Sequence, residues 1–106
     1  TMPDGTLMIA LPEWADVADK SAVEAIRARG AEPEGYALPA YAAVQIAAAA
    51  IRQAADTGKS VAQTIAEGTF ATALGEIRFD AKGDLAQNPY RLFRFADGAF
   101  HPEATP

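Results

Sequence analysis

The chain offers few side chains whose chemistry depends on spacing, and the first of them is its one histidine, His101. General acid–base or nucleophilic catalysis needs a histidine held beside a carboxylate or a nucleophile. His101 instead adjoins Pro102 near the end of the sequence, where an exposed position on an edge strand is expected. A single histidine with scattered carboxylates makes no zinc set, and there is no cysteine to supply a thiolate or a disulfide. Gly58-Lys59-Ser60 imitates the end of a phosphate-binding loop, but no glycine opens such a loop upstream and the segment follows a helical pattern instead of a strand. Asp80-Ala81-Lys82-Gly83-Asp84 imitates a calcium loop without the alternating oxygen ligands and distal glutamate that the ion requires. A polar turn accounts for it. No catalytic residue, metal ligand or cofactor is assigned, and enzyme chemistry is not expected.

The residues placed to line a small-molecule cleft are Tyr41 and Tyr36. Both stand at the opening of a long helical pattern, where backbone amides and the helix dipole face outward. A tyrosine there can line a cleft with a flat apolar surface and a hydroxyl tip. The competing reading has Tyr41 in the core stripe of its helix and Tyr36 packed on the preceding linker, as aromatics at helical spacing usually are. Trp14 would flank the same cleft or lie as a lid on a sheet edge.

The elements that position these residues follow from periodicity. Thr6 to Leu11 is an apolar run between Gly5 and Pro12, which predicts a strand buried on both faces, as in parallel sheets. Glu13 to Gly30 carries a helix with Val23 and Ile26 on its apolar stripe and Gly30 as its stop; it opens at the Ser21–Glu24 capping-box pattern or earlier, near Asp16, with Ser21 then an interior residue. After the linker Ala31 to Gly35, a helix from about Tyr36 to Ala55 is predicted, buried on most sides. Its core stripe would run along Tyr41, Val44, Ala48, Ile51 and Ala55, beside a smooth strip of Ala40, Ala43, Ala47, Ala50 and Ala54. Ser60 to Gln63 opens a short helix that ends near Gly68. Leu74 to Asp80 alternates as a strand with one wet face, and Tyr90 to Phe95 is a second strand. Asp97-Gly98 joins that strand to Ala99-Phe100-His101 by a tight hairpin turn. From Pro102 onward the chain is expected to fray.

Composition limits the function classes. With 106 residues, half of them apolar and 22% charged, the chain has ordinary globular character. The net charge is −5, and the arginines at 27, 29, 52, 78, 91 and 94 never cluster. Nucleic-acid binding needs a basic face and anionic membranes repel an acidic one, so neither partner is expected. The longest apolar stretch, Ala40 to Ile51, contains Gln45 and is too short to cross a bilayer. The start, Thr1-Met2-Pro3-Asp4-Gly5, has no signal-peptide pattern and no initiator methionine, which raises the expectation of processing or truncation.

Two phrases carry a family resemblance. Glu34-Gly35-Tyr36 through Tyr41-Ala42-Ala43-Val44-Gln45 resembles the helix opening of leucine/isoleucine/valine-type periplasmic binding proteins. Thr69-Phe70 followed by Leu74-Gly75-Glu76-Ile77-Arg78-Phe79-Asp80-Ala81-Lys82-Gly83-Asp84 resembles the phrase that precedes the last two strands in that family. The resemblance runs in matching order over essentially the whole chain. It implies an α/β fold, namely the C-terminal part of a two-lobed type I periplasmic binding fold, with residues 1–106 as a single portion that supplies elements to both lobes. It implies a periplasmic solute-binding component that closes on an amino acid or related aliphatic or aromatic acid and delivers it to an ABC transporter permease. A ligand-sensing regulatory or receptor domain of the same fold is the first alternative, and a free-standing small α/β interaction domain the second. Of the family's ligand contacts, only the aromatic near the long helix start maps here, best to Tyr41 and second to Tyr36. The segments carrying the other contacts are absent, so the chain alone is expected to be inactive. Its uncovered apolar faces are expected to drive self-association or exchange of elements between chains.

Overall fold

The computed structural model describes residues 2–103 and places in order β1 (Leu7–Ala10), α1 (Trp14–Val17), α2 (Lys20–Ala28), α3 (Ala37–Thr57), α4 (Val61–Glu67), β2 (Thr69–Thr72), β3 (Gly75–Arg78), β4 (Arg91–Ala96) and β5 (Ala99–Pro102). By internal contacts they divide into two compact units, one formed by both ends of the chain and the other by Glu13–Asn88.

The first unit is a three-stranded antiparallel sheet in the order β1-β4-β5. Its hairpin turn is the expected one. Asp97 and Gly98 take φ of +51° and +81°, the left-handed pair whose twist matches the flanking strands. Opposite residues share a face of the sheet. Met8 sits across from Phe93, and Phe95 across from Phe100, whose rings meet edge to face at 5.2 Å. Phe93 is buried, and the other three are half-buried.

The prediction for β1 needs correction. It is a strand, but it pairs antiparallel with β4 and stands at the sheet's edge. Leu7 and Ile9 are 52% and 73% exposed, on the same face as Leu92. A continuous apolar run reports that a strand wants cover on both faces; it cannot report a partner's direction or supply the cover. Nor does the chain fray at Pro102. Pro102 lies opposite Phe93, the Glu103 amide donates to the Leu92 carbonyl at 2.8 Å, and the Glu103 carboxylate accepts two bonds from Arg94 at 2.9 and 3.0 Å. The rest of the expected fraying lies outside the described residues.

The second unit packs four helices and a hairpin. Where one helix was expected after β1 there are two, separated by the extended Ala18. Asp19, not Ser21, caps α2: its carboxylate accepts the Ser21 amide at 3.4 Å and the Ser21 hydroxyl at 2.8 Å. A carboxylate caps at least as well as a hydroxyl and its charge suits the helix N-terminus, so the start moved back to it. The second capping site is as read, with the Ser60 hydroxyl accepting the Gln63 amide at 3.1 Å. Strand β2 was not anticipated. It pairs with β3 across a turn at Ala73-Leu74, so Leu74 belongs to the turn and the strand of Ile77 begins at Gly75.

Two apolar clusters hold this unit. One joins Ala22, Val23, Leu38 and Ala73, with Trp14 and Ile26 against it; the other joins Ile46, Ala50 and Phe70, with Ile65, Ile77 and Phe79 against it. Helix α3 contributes to both, but not with the predicted stripe. Its buried residues are Leu38, Ala42, Ile46, Ala50 and Ala54. The predicted stripe is exposed, with Val44 at 69% and Ile51 at 59%, so α3 is not buried on most sides. At 100° per residue the two sets centre about 180° apart. Both faces of α3 are apolar, and only one is covered.

Candidate functional site

Helix α3 carries both predicted site residues. Tyr36 is its N-cap and is 84% exposed; Tyr41 lies one turn inside and is 37% exposed. Five residues apart on a helix, they diverge by about 140° around the axis. The described residues do not gather them into one pocket. Trp14, the third aromatic considered, packs on the cluster of Val23 and Leu38. It serves the core.

The entrance of α3 is held by backbone bonds. The Ala37 amide donates to the Glu34 carbonyl at 3.2 Å and the Ala40 amide to the Tyr36 carbonyl at 2.9 Å, while no side chain caps the helix. Pro39 has no amide to leave unpaired in this first turn. Tyr41 heads the exposed row that continues along Val44, Ala48, Ile51 and Ala55. The row is apolar, and the described residues do not cover it.

Behind that row sits a polar clasp. The Ala73 amide, at the buried tip of the β2–β3 hairpin, donates to Gln45 Oε1 at 2.8 Å. The Ala73 carbonyl accepts the Asp19 amide at 2.7 Å. One residue of the turn thereby ties α3 to the start of α2. The sequence marks Gln45 as the one amide in the apolar run from Ala40 to Ile51 and as part of the family phrase, but gives no sign of its partner.

The remaining candidates settle as structural features. His101 lies exposed on β5 with Nε2 3.1 Å from the Ala96 carbonyl oxygen. Among the described residues no group of three or more metal-ligating side chains occurs. Asp80 Oδ1 accepts the amides of Lys82 and Asp84, at 2.9 and 3.1 Å, which is a self-bonded polar turn. Beside it, between α4 and residues 79–83, is an open depression of about 330 Å³ lined by Ala62, Ile65 and Phe79 among others. Neither tyrosine lines it. Lys59 and Gln63 both bond the Glu67 carboxylate, at 2.8 and 3.2 Å, and hold it below the usual carboxylate range. No helix of the described residues is long and apolar enough to cross a membrane.

No family model matches the chain. Relatives do. A "Leu/Ile/Val-binding protein homolog 2" of Brucella abortus is 39% identical over 98 residues, which is 90% of this chain and 26% of the relative. The "Leucine-, isoleucine-, valine-, threonine-, and alanine-binding protein" of Pseudomonas aeruginosa is 35% identical over 92 residues, 85% of this chain and 23% of the relative. Among solved structures, an ABC transporter substrate-binding protein of Desulfitobacterium hafniense in complex with Leu superposes with a TM-score of 0.65 and 26% identity. That superposition covers 94% of this chain and 31% of the other. The chain spans about a quarter of the length of the curated relatives it matches.

Proposed function

We propose, for a chain that belongs to the leucine/isoleucine/valine-type solute-binding family and spans about a quarter of its relatives' length, that it works as one portion of a two-lobed protein that captures a small aliphatic amino acid for an ABC transporter. The observation that carries this reading is the agreement of the sequence relatives and the leucine-complexed structural neighbour on one family. The two compact units support a chain that gives elements to both lobes, the terminal sheet to one and Glu13–Asn88 to the other. Capture takes place in the periplasm, and a membrane permease receives the amino acid. Alone, the chain lacks most of the ligand contacts, does not bind, and shields its apolar faces by self-association.

Tyr41 lines the ligand cleft in this reading, with Tyr36 nearer its rim. The tyrosine ring covers the aliphatic side chain of the amino acid, a contact whose removal costs about 1.5–3 kcal/mol. In the two-lobed protein, Tyr41→Ala is therefore expected to raise the Kd for leucine by roughly 10–150-fold, and Tyr36→Ala by less. Isothermal titration with leucine, isoleucine, valine, threonine and alanine checks both. Unchanged affinity in Tyr41→Ala removes that residue from the site. Absence of heat with all five amino acids in the parent protein removes the function.

A further inference from the structure

We propose that Gln45 is a positioning residue that decides which side of α3 packs inward, and through that choice sets where Tyr41 is presented. The need for such a device follows from α3 itself. Its inward row, Leu38, Ala42, Ile46, Ala50 and Ala54, and its outward row, Tyr41, Val44, Ala48, Ile51 and Ala55, are both uncharged and rich in alanine. Burial of apolar area is non-directional. The outward row is the bulkier, with Tyr41, Val44 and Ile51 against Leu38 and Ile46, so apolar burial alone does not select the inward one. Hydrophobicity places α3 in the unit without orienting it.

Gln45 supplies the missing discrimination. It lies at the border between the rows, half-buried, and accepts the Ala73 amide at 2.8 Å across 28 residues of sequence. Ala73 is 3% exposed, so a roll of α3 away from this arrangement would leave its amide without an acceptor and without water. The turn cannot follow the helix, because the Ala73 carbonyl is held by the Asp19 amide at 2.7 Å. A part-buried polar pair whose inner partner, the Ala73 amide, lies away from water selects one packing out of several, as a single asparagine does in a coiled-coil seam. Tyr41 precedes Gln45 by four residues, about 40° away around the helix. Fixing the roll at Gln45 fixes the direction in which Tyr41 points.

The packing arm of this proposal stands on the chain alone; the ligand arm rests on the binding function proposed above. Amide exchange in the 106-residue chain tests the first. Gln45→Leu is expected to keep the helix content while the Ala73 amide exchanges at least tenfold faster relative to its neighbours. Gln45→Glu, which keeps an acceptor, should restore that protection. Ile46→Val, which trims the adjacent core, should lower stability without singling out Ala73. In the two-lobed protein, Gln45→Leu should weaken leucine binding at least tenfold, while Gln45→Glu and Ile46→Val stay within about threefold. Parent-like Ala73 protection in Gln45→Leu overturns the proposal. Fast Ala73 exchange with unchanged leucine affinity overturns the link to Tyr41. A parent protein that binds no amino acid, with the exchange pattern as expected, overturns the binding reading and leaves the packing role intact.

Discussion

Ile51→Glu is expected to be harmless in the 106-residue chain and ruinous in the two-lobed protein. In the chain at a concentration low enough to keep copies apart, Ile51 is 59% exposed on the outward row of α3, so a carboxylate there stays in water and stability should move by no more than about 0.5 kcal/mol. Cover that row with the rest of a lobe, and the same carboxylate is buried without a partner. The penalty for an uncompensated buried charge is roughly 3–5 kcal/mol, a large share of a domain's whole stability. Urea unfolding of both proteins, with and without the substitution, reads the contrast directly. Equal tolerance in the two would mean that the outward row remains a solvent face in the full assembly.

Leu38→Ala should do its damage in the chain itself. Among the described residues Leu38 is the one large side chain with no exposure, and it joins α3 to Ala22 and Val23 of α2 and to Ala73 of the hairpin. Its neighbours are mostly small and backbone-bound, so they cannot collapse into the space it leaves. The expected cost is about 3 kcal/mol, which in a unit of this size lowers the melting temperature by roughly 12–24 °C. Val44→Ala removes apolar atoms from a side chain 69% exposed and should shift it by no more than about 4 °C. Similar losses in the two variants would contradict the assignment of the inward face.

Periodicity found α3 and its length but chose the wrong row, and the reason is physical. A single-faced helix announces its buried side by contrast with a polar one. Here Tyr41, Val44 and Ile51 outweigh Leu38 and Ile46 in bulk, so the sequence pointed to the bulky row, which is the one left uncovered. The same reasoning explains β1: Leu7 and Ile9 ask for cover that the described residues do not give. Both errors fall on apolar rows that the described residues leave uncovered. Local chemistry was easier to read. Asp97-Gly98 dictated its turn, Ser60 its cap and Asp80 its loop, because each is decided within five residues. Strand β2 was missed because Thr69-Phe70-Ala71-Thr72 is too short to show a period, and its pairing with β3 is what defines it.

The site was legible to a lesser degree. Tyr41 could be placed at the head of α3 from spacing and resemblance, whereas the clasp under it depends on two residues 28 apart in sequence. Gln45 stood out in composition as the lone amide in an apolar run. What it meets is a backbone amide, and backbone partners leave no mark in a sequence.

The absence of cysteine makes one measurement especially clean. In Val44→Cys the new thiol is the sole thiol of these 106 residues, second of the five residues on the outward row of α3, and in the two-lobed protein its labelling is read on the peptide that carries it. Its rate of reaction with a disulfide reagent reports whether that row is covered. At low micromolar concentration the 106-residue chain should react as fast as a model thiol, and more slowly as its concentration rises and copies associate. The two-lobed protein should react at least a hundredfold more slowly at every concentration. Equal, rapid reaction in both would show that nothing in the larger protein covers this helix, and α3 could not then be an element that a lobe completes.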